Sequence, residues 1–182
     1  MIQVRCSGTL LRWLAGVALA ASALAQGPRA MPKIEGEALS GRKVELPAAC
    51  KGKVAVLIFG FTKASKKPTG AWADKITADF GTQPGFELYQ LPVLEDVPRF
   101  IRGMVIAGMK KGIRADMRDH FVPVLQGEAE LKRLVSYKEA DDAYLVTLDS
   151  AGQILQQRHG TVSDPAYAQL RTEIQSLLAR PK

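Results

Sequence analysis

The most sharply patterned part of the chain is Val54–Phe61, VAVLIFGF. Its apolar residues do not alternate with polar ones. That pattern predicts a central strand buried on both faces, as in a parallel sheet. A polar loop follows, then a helix that Pro68 can open, with Thr69 as a capping candidate. Trp72, Ile76 and Phe80 recur at i, i+4 and i+8 and so share one helical face. Gly81 marks the helix end and Pro84-Gly85 a turn, and Phe86–Leu94 reads as a second strand. Strand, helix, strand makes a βαβ unit, whose crossover is right-handed and whose strands run parallel.

The flanking patterns are shorter. Ile34–Leu46 holds a turn at Ser40-Gly41 between apolar residues and reads as a small hairpin, preceded by a loose linker over Gln26–Pro32. Val97–Met117 has helical character interrupted by Gly103, Gly108 and Gly112, each costing about 1 kcal/mol relative to alanine and permitting a kink or close packing. Phe121–Leu125 reads as an edge strand because it contains Pro123, and Glu128–Tyr137 as a short helix. Tyr144–Leu148 and Gln153–Gln157 form a hairpin across Asp149-Ser150-Ala151-Gly152. Ser163-Asp164-Pro165 caps a last helix with an apolar stripe of Tyr167, Leu170, Ile174, Leu177 and Leu178.

Length and composition place these elements in one folded unit. The chain has 182 residues, 47% hydrophobic, enough for a single core. Residues 1–25 read as an export signal: Arg5 and Arg12 precede an apolar run, Trp13–Leu24, that is short for a bilayer span. Ala23-Leu24-Ala25 fits a cleavage site before Gln26. An uncleaved anchor is the alternative. The expected organisation is a signal at 1–25, a lead-in at 26–50 and the main domain at 51–182, in the periplasm or secreted. Losing Arg5 and Arg12 lowers the formal charge from +7 to +5. The excess favours acidic partners or an anionic surface, and export argues against nucleic acid.

After the signal only Cys50 remains, so no internal disulfide is available. Lys51 and Lys53 favour a thiolate at Cys50, and burial would oppose it. The loop Lys63-Ala64-Ser65-Lys66-Lys67-Pro68-Thr69 places cations where a helix dipole prefers anions. With the hydroxyls of Ser65 and Thr69 it suits an anionic ligand or an acidic protein, without the spacing of a nucleotide loop. A second basic stretch comprises Arg99, Arg102, Lys110, Lys111, Arg114 and Arg118, interleaved with Met104, Val105, Ile106, Met109 and Met117. Basic plus apolar content fits a membrane surface or a partner helix, or an ordinary helix with one side in the core. His120 and His159 are too few for a zinc site, and no cofactor is indicated. Asp119 beside His120 reads as a local polar pair, and Asp141-Asp142 as a solvated turn.

The order of elements resembles the thioredoxin-like superfamily. Lys51-Gly52-Lys53 leading into the Val54–Phe61 strand is similar to the redoxin and peroxiredoxin-like branch. Phe59-Gly60-Phe61-Thr62 resembles the copper-chaperone branch of cytochrome oxidase assembly proteins, and Tyr144–Ile154 resembles the hairpin shared by these branches. The Gly60-Phe61 strand end, Ser65–Trp72, Arg102-Gly103-Met104 and the Tyr144 hairpin are together most similar to the thioredoxin-like ATP synthase assembly factors and their bacterial relatives. The resemblance implies an α/β fold, a three-layer α/β/α arrangement with a central mixed sheet. It also implies redox or copper-binding cysteines in the loop after Thr62, and this chain has none there. Asp141-Asp142-Ala143 stands where such proteins carry a cis-proline. The function that follows is a noncatalytic binding or assembly factor for a membrane-associated complex. The alternatives are a thiol redoxin using Cys50 and a small-anion binder at Ser65–Thr69.

Overall fold

A computed structural model describes residues 29–180. The expected signal peptide and its cleavage site lie outside the described residues. A five-stranded sheet has the order β1 (Arg29–Ala30), β7 (Gln153–His159), β6 (Tyr144–Leu148), β4 (Val54–Gly60), β5 (Phe86–Pro92). β4 and β5 are parallel and the other pairs antiparallel, so the sheet is mixed. β4 is central, with Leu57 opposite Tyr89 on one side and Val146 on the other.

The pleat of β4 divides the core in two. Val54, Val56 and Ile58 face a layer made by α1 (Lys66–Phe80) and α4 (Asp164–Leu178), where Trp72, Ile76, Phe80, Leu170, Ile174 and Leu177 are buried. Ala55, Leu57 and Phe59 face a second layer. It contains the hairpin of β2 (Ile34–Glu37) and β3 (Lys43–Leu46) together with the short helix α3 (Glu128–Leu134). Met31, Ile34, Val44, Leu46 and Cys50 of the lead-in join that layer. Ser163 caps α4 by accepting a bond from the Ala166 amide.

Several expectations are corrected. Part of the expected linker, Arg29–Ala30, forms β1 by pairing with Ile154 and Gln153. Helix α1 starts earlier than Pro68, with Ser65 as its N-cap, and Thr69 lies inside it. Gly81 ends α1 in a right-handed conformation, φ −59°, so its backbone freedom is not what stops the helix. The 121–125 segment forms only two isolated bridges beside β5, Gln90 to Phe121 and Val93 to Val124. Helix α2 (Arg99–Gly112) runs unbroken through Gly103 and Gly108. A Cβ at either glycine would touch nothing within 4 Å, so neither serves close packing. No helix among the described residues is long and apolar enough to cross a membrane.

Candidate functional site

The C-terminal end of β4, where the strand passes into α1, gathers most of the polar side chains singled out in the sequence. The joint is tight. A Cβ at Gly60 would lie 2.6 Å from Ser65 Oγ and 3.2 Å from Thr69 Cγ2, so only glycine lets the helix start close over the strand end. Ser65 is 1% exposed. Its hydroxyl donates to the Thr62 carbonyl at 2.7 Å and accepts from the Thr62 amide at 3.3 Å. Its amide donates to Thr62 Oγ1 at 3.2 Å.

The other polar groups are also engaged. Thr69 Oγ1 donates to the Ser65 carbonyl at 2.9 Å, and the amides of Lys66 and Lys67 donate back to the carbonyls of Lys63 and Ala64. The hydroxyls of Ser65 and Thr69 and the first helical amides are therefore turned inward. What this loop presents to solvent is the charge of Lys63, Lys66 and Lys67, all exposed.

A second loop is fastened onto this one. Thr62 Oγ1 donates to Asp141 at 3.0 Å, and Asp142 is bonded to His159 Nδ1 at 2.8 Å, so the acid pair is not simply a solvated turn. The Tyr144 hydroxyl accepts from the amides of Lys138 and Glu139 and donates to the Glu139 carbonyl, each at 2.9 Å. Phe61, Tyr137, Tyr144 and His159 pack in series with ring centroids 5.0 to 5.5 Å apart. The Lys132 ammonium lies over Tyr137 at 4.8 Å, a cation–π contact. The 137–142 loop is thus held by side-chain bonds, one of them to the strand–helix joint.

Cys50 is at the other end of β4, about 20 Å away by strand rise over seven residues. It is fully buried. Burial first, then the charge of Glu87, pushes its thiol up to about 12, with Lys53 opposing weakly. Glu87 organises this end of the sheet. Its carboxylate accepts from Lys53 and from His120 Nε2, the latter at 2.6 Å. Hydrogen bonding to His120 leads the causes that pull Glu87 down to about 2, against desolvation. His120 thus pairs with Glu87 and not with its neighbour Asp119, whose carboxylate faces Arg42 at 3.6 Å. Sequence reasoning passed over Glu87; its only signal was a carboxylate near the start of a mostly apolar strand. No three His, Cys, Asp or Glu side chains among the described residues are grouped to hold a metal ion.

The remaining expected site residues lie on or just after α2. The Arg102 guanidinium folds back on the carbonyls of Val97, at 2.7 Å, and Glu95, and Arg114 is held by Asp116 at 2.6 Å. Arg99, Lys110 and Lys111 are exposed and form no ion pair among the described residues. No residue of α2 is buried. Beneath it, a groove of about 800 Å³ is lined by Ile34, Ile106, Leu125 and Leu131, with Lys110 beside them.

No family model matches the chain, and no curated protein matches its sequence. Solved structures do match its shape. BsSco, a member of the Sco family of cytochrome c oxidase assembly proteins, is similar with a TM-score of 0.58 at 13% identity, over 85% of this chain and 96% of that one. The exposed lipoprotein thioredoxin Etrx1 of Streptococcus pneumoniae is similar with a TM-score of 0.55 at 14% identity, over 78% of this chain and 99% of that one. The thioredoxin domain of a thiol-disulfide oxidoreductase from Bacteroides vulgatus gives 0.52 at 18%, over 81% and 96%. The chain has a thioredoxin-like fold.

Proposed function

We propose that this protein is an exported, noncatalytic binding or assembly factor built on a thioredoxin-like frame, of the kind represented by the ATP synthase assembly factors it resembles. The observation that carries the reading is Ser65. At the strand–helix joint, where the resemblance calls for a thiol, stands a buried hydroxyl bonded on both sides to Thr62. The joint offers no thiol, as nucleophile or as soft metal ligand. The exposed lysines of the joint and the exposed cations of α2 are the surfaces left for contact with an acidic protein or an anionic surface.

The competing redoxin reading needs a reactive Cys50. With its pKa at about 12 against an ordinary 9.0, the thiolate fraction at pH 8 falls about a thousandfold, before any loss of access. The test is alkylation of Cys50 in native and urea-unfolded protein at pH 8, beside insulin-reduction and peroxidase assays with Cys50→Ser as control. The expected result is native alkylation slower than unfolded by about a thousandfold or more, and no turnover that depends on Cys50. Fast native alkylation, or turnover lost in Cys50→Ser, overturns the proposal.

A further inference from the structure

Helix α2 has an outward face that the described residues leave uncovered. Its inner side, Ile101, Arg102, Val105, Ile106 and Met109, is half-buried. The opposite face, at i, i+3, i+4, i+7 and i+8 from Phe100, carries Phe100, Gly103, Met104, Ala107 and Gly108, all exposed. Phe100 is 88% and Met104 76% exposed, against 36% for Leu125, the other large apolar side chain left out in the open among the described residues. An apolar pair one turn apart, standing free of the body, is more than the scattered surface apolar residue any protein shows.

Charge selects among occupants. From Val97 to Ala115 there is no acidic residue, while Arg99, Lys110 and Lys111 form no ion pair among the described residues. Lys110 and Lys111 in the last turn also suit the helix dipole, but Arg99 in the first turn opposes it, so helix stability does not account for the set. A protein partner would need an acidic patch shaped to take Phe100 and Met104. The helix's own exposed cations around two protruding apolar side chains, with Gly103 between them offering nothing to interlock, match a surface that is uniformly anionic and has no fixed relief; the acidic Glu35, Glu37 and Glu130 line the groove on the inner side, with Ile106 and Lys110. We propose that α2 docks on an anionic phospholipid bilayer, with Phe100 and Met104 entering the headgroup–acyl boundary and Arg99, Lys110 and Lys111 against the lipid phosphates. The proposal rests on the noncatalytic reading above for its biological sense, but its chemistry is independent of Cys50.

The chain from Gln26 onward carries every described residue and is used for the test. Co-sedimentation with phosphatidylglycerol–phosphatidylcholine vesicles is compared with pure phosphatidylcholine vesicles at low and high salt. Binding is expected to the anionic vesicles only and to weaken with salt. Phe100→Ser/Met104→Ser and, separately, Lys110→Glu/Lys111→Glu are each expected to lower partitioning about tenfold or more. Lys51→Glu/Arg180→Glu, at exposed positions just before β4 and just after α4, makes the same change in net charge and is expected to leave partitioning within about twofold. Absence of binding to anionic vesicles overturns the proposal, as does equal loss in the Lys51/Arg180 variant. Concentration-dependent self-association abolished by Phe100→Ser/Met104→Ser, without vesicle binding, overturns it in favour of a second copy of the chain. None of these results bears on thiol alkylation, so the failure of this proposal and of the noncatalytic reading are read from different assays.

Discussion

Replacing Glu87 by Gln keeps the size of the side chain and removes its charge, which isolates the electrostatic part of the cluster at the start of β5. The carboxylate side chain is 14% exposed and receives Lys53 and His120. Its pKa is drawn from the ordinary 4.5 to about 2. A carboxyl group depressed on folding contributes stability that is present above its unfolded pKa and is lost as pH falls through its folded pKa. The window is therefore about pH 4.5 down to about 2. A depression of that size corresponds to about 3 kcal/mol. The partner side chains are 44% and 35% exposed, so solvent screening reduces the working figure to about 2 kcal/mol. Urea unfolding of wild type and Glu87→Gln at pH 7, 5, 3.5 and 2.5 measures this directly. At pH 7 the variant is expected to be less stable by about 2 kcal/mol with an unchanged denaturant slope, and the gap is expected to close by more than half at about pH 2.5. A gap that stays constant across this range would mean that the loss comes from shape or hydrogen bonding alone and would refute the electrostatic account.

The strand–helix joint makes two further predictions. Gly60→Ala forces a Cβ to within 2.6 Å of Ser65 Oγ, and thermal or urea unfolding should show a loss of about 1–3 kcal/mol by overpacking. Thr62→Val removes the oxygen that accepts from the buried Ser65 amide and donates to Asp141, for an expected loss of about 1–3 kcal/mol, whereas Asp141→Asn keeps an acceptor at the exposed end and should cost under about 0.5 kcal/mol in the same assay.

The elements that the sequence predicted best are those whose partners lie on every side. Val54–Gly60 could hardly be anything but a central strand, because seven nearly continuous apolar residues need cover on both faces. Trp72, Ile76 and Phe80 fixed the buried side of α1 for the same reason. Arg29–Ala30 was not legible as a strand, since two exposed residues have no pattern and pair only because β7 presents an edge. The start of α1 was misplaced because Pro68 and Thr69 are strong local signals, while the role of Ser65 depends on its closeness to Gly60 and Thr62 in space. At the candidate surfaces, composition showed cations but not what they face. Arg102 turns to the carbonyls of Val97 and Glu95 and Arg114 to Asp116, leaving Arg99, Lys110 and Lys111 open to solvent. His120 was matched to its chain neighbour, when its partner stands 33 residues earlier on β5.

These differences bear on what the strand–helix joint can do. A strand–helix joint that handles thiols must leave one side chain reachable and let the facing loop move. Here Ser65 is closed in by Thr62, Thr62 reaches across to Asp141, and the Tyr144 hydroxyl holds the chain at Lys138 and Glu139. Each bond is individually small, but they share partners, so opening the loop means leaving several polar groups unpaired together. This end of the sheet is held by linked bonds. Exposure collects instead on α2, where three glycines weaken the helix, no side chain is buried, and Phe100 and Met104 stand among unpaired cations. A segment so loosely tied to the core contributes little to folding. Phe100 and Met104 on its outward face gain by burial only when something outside the described residues covers them.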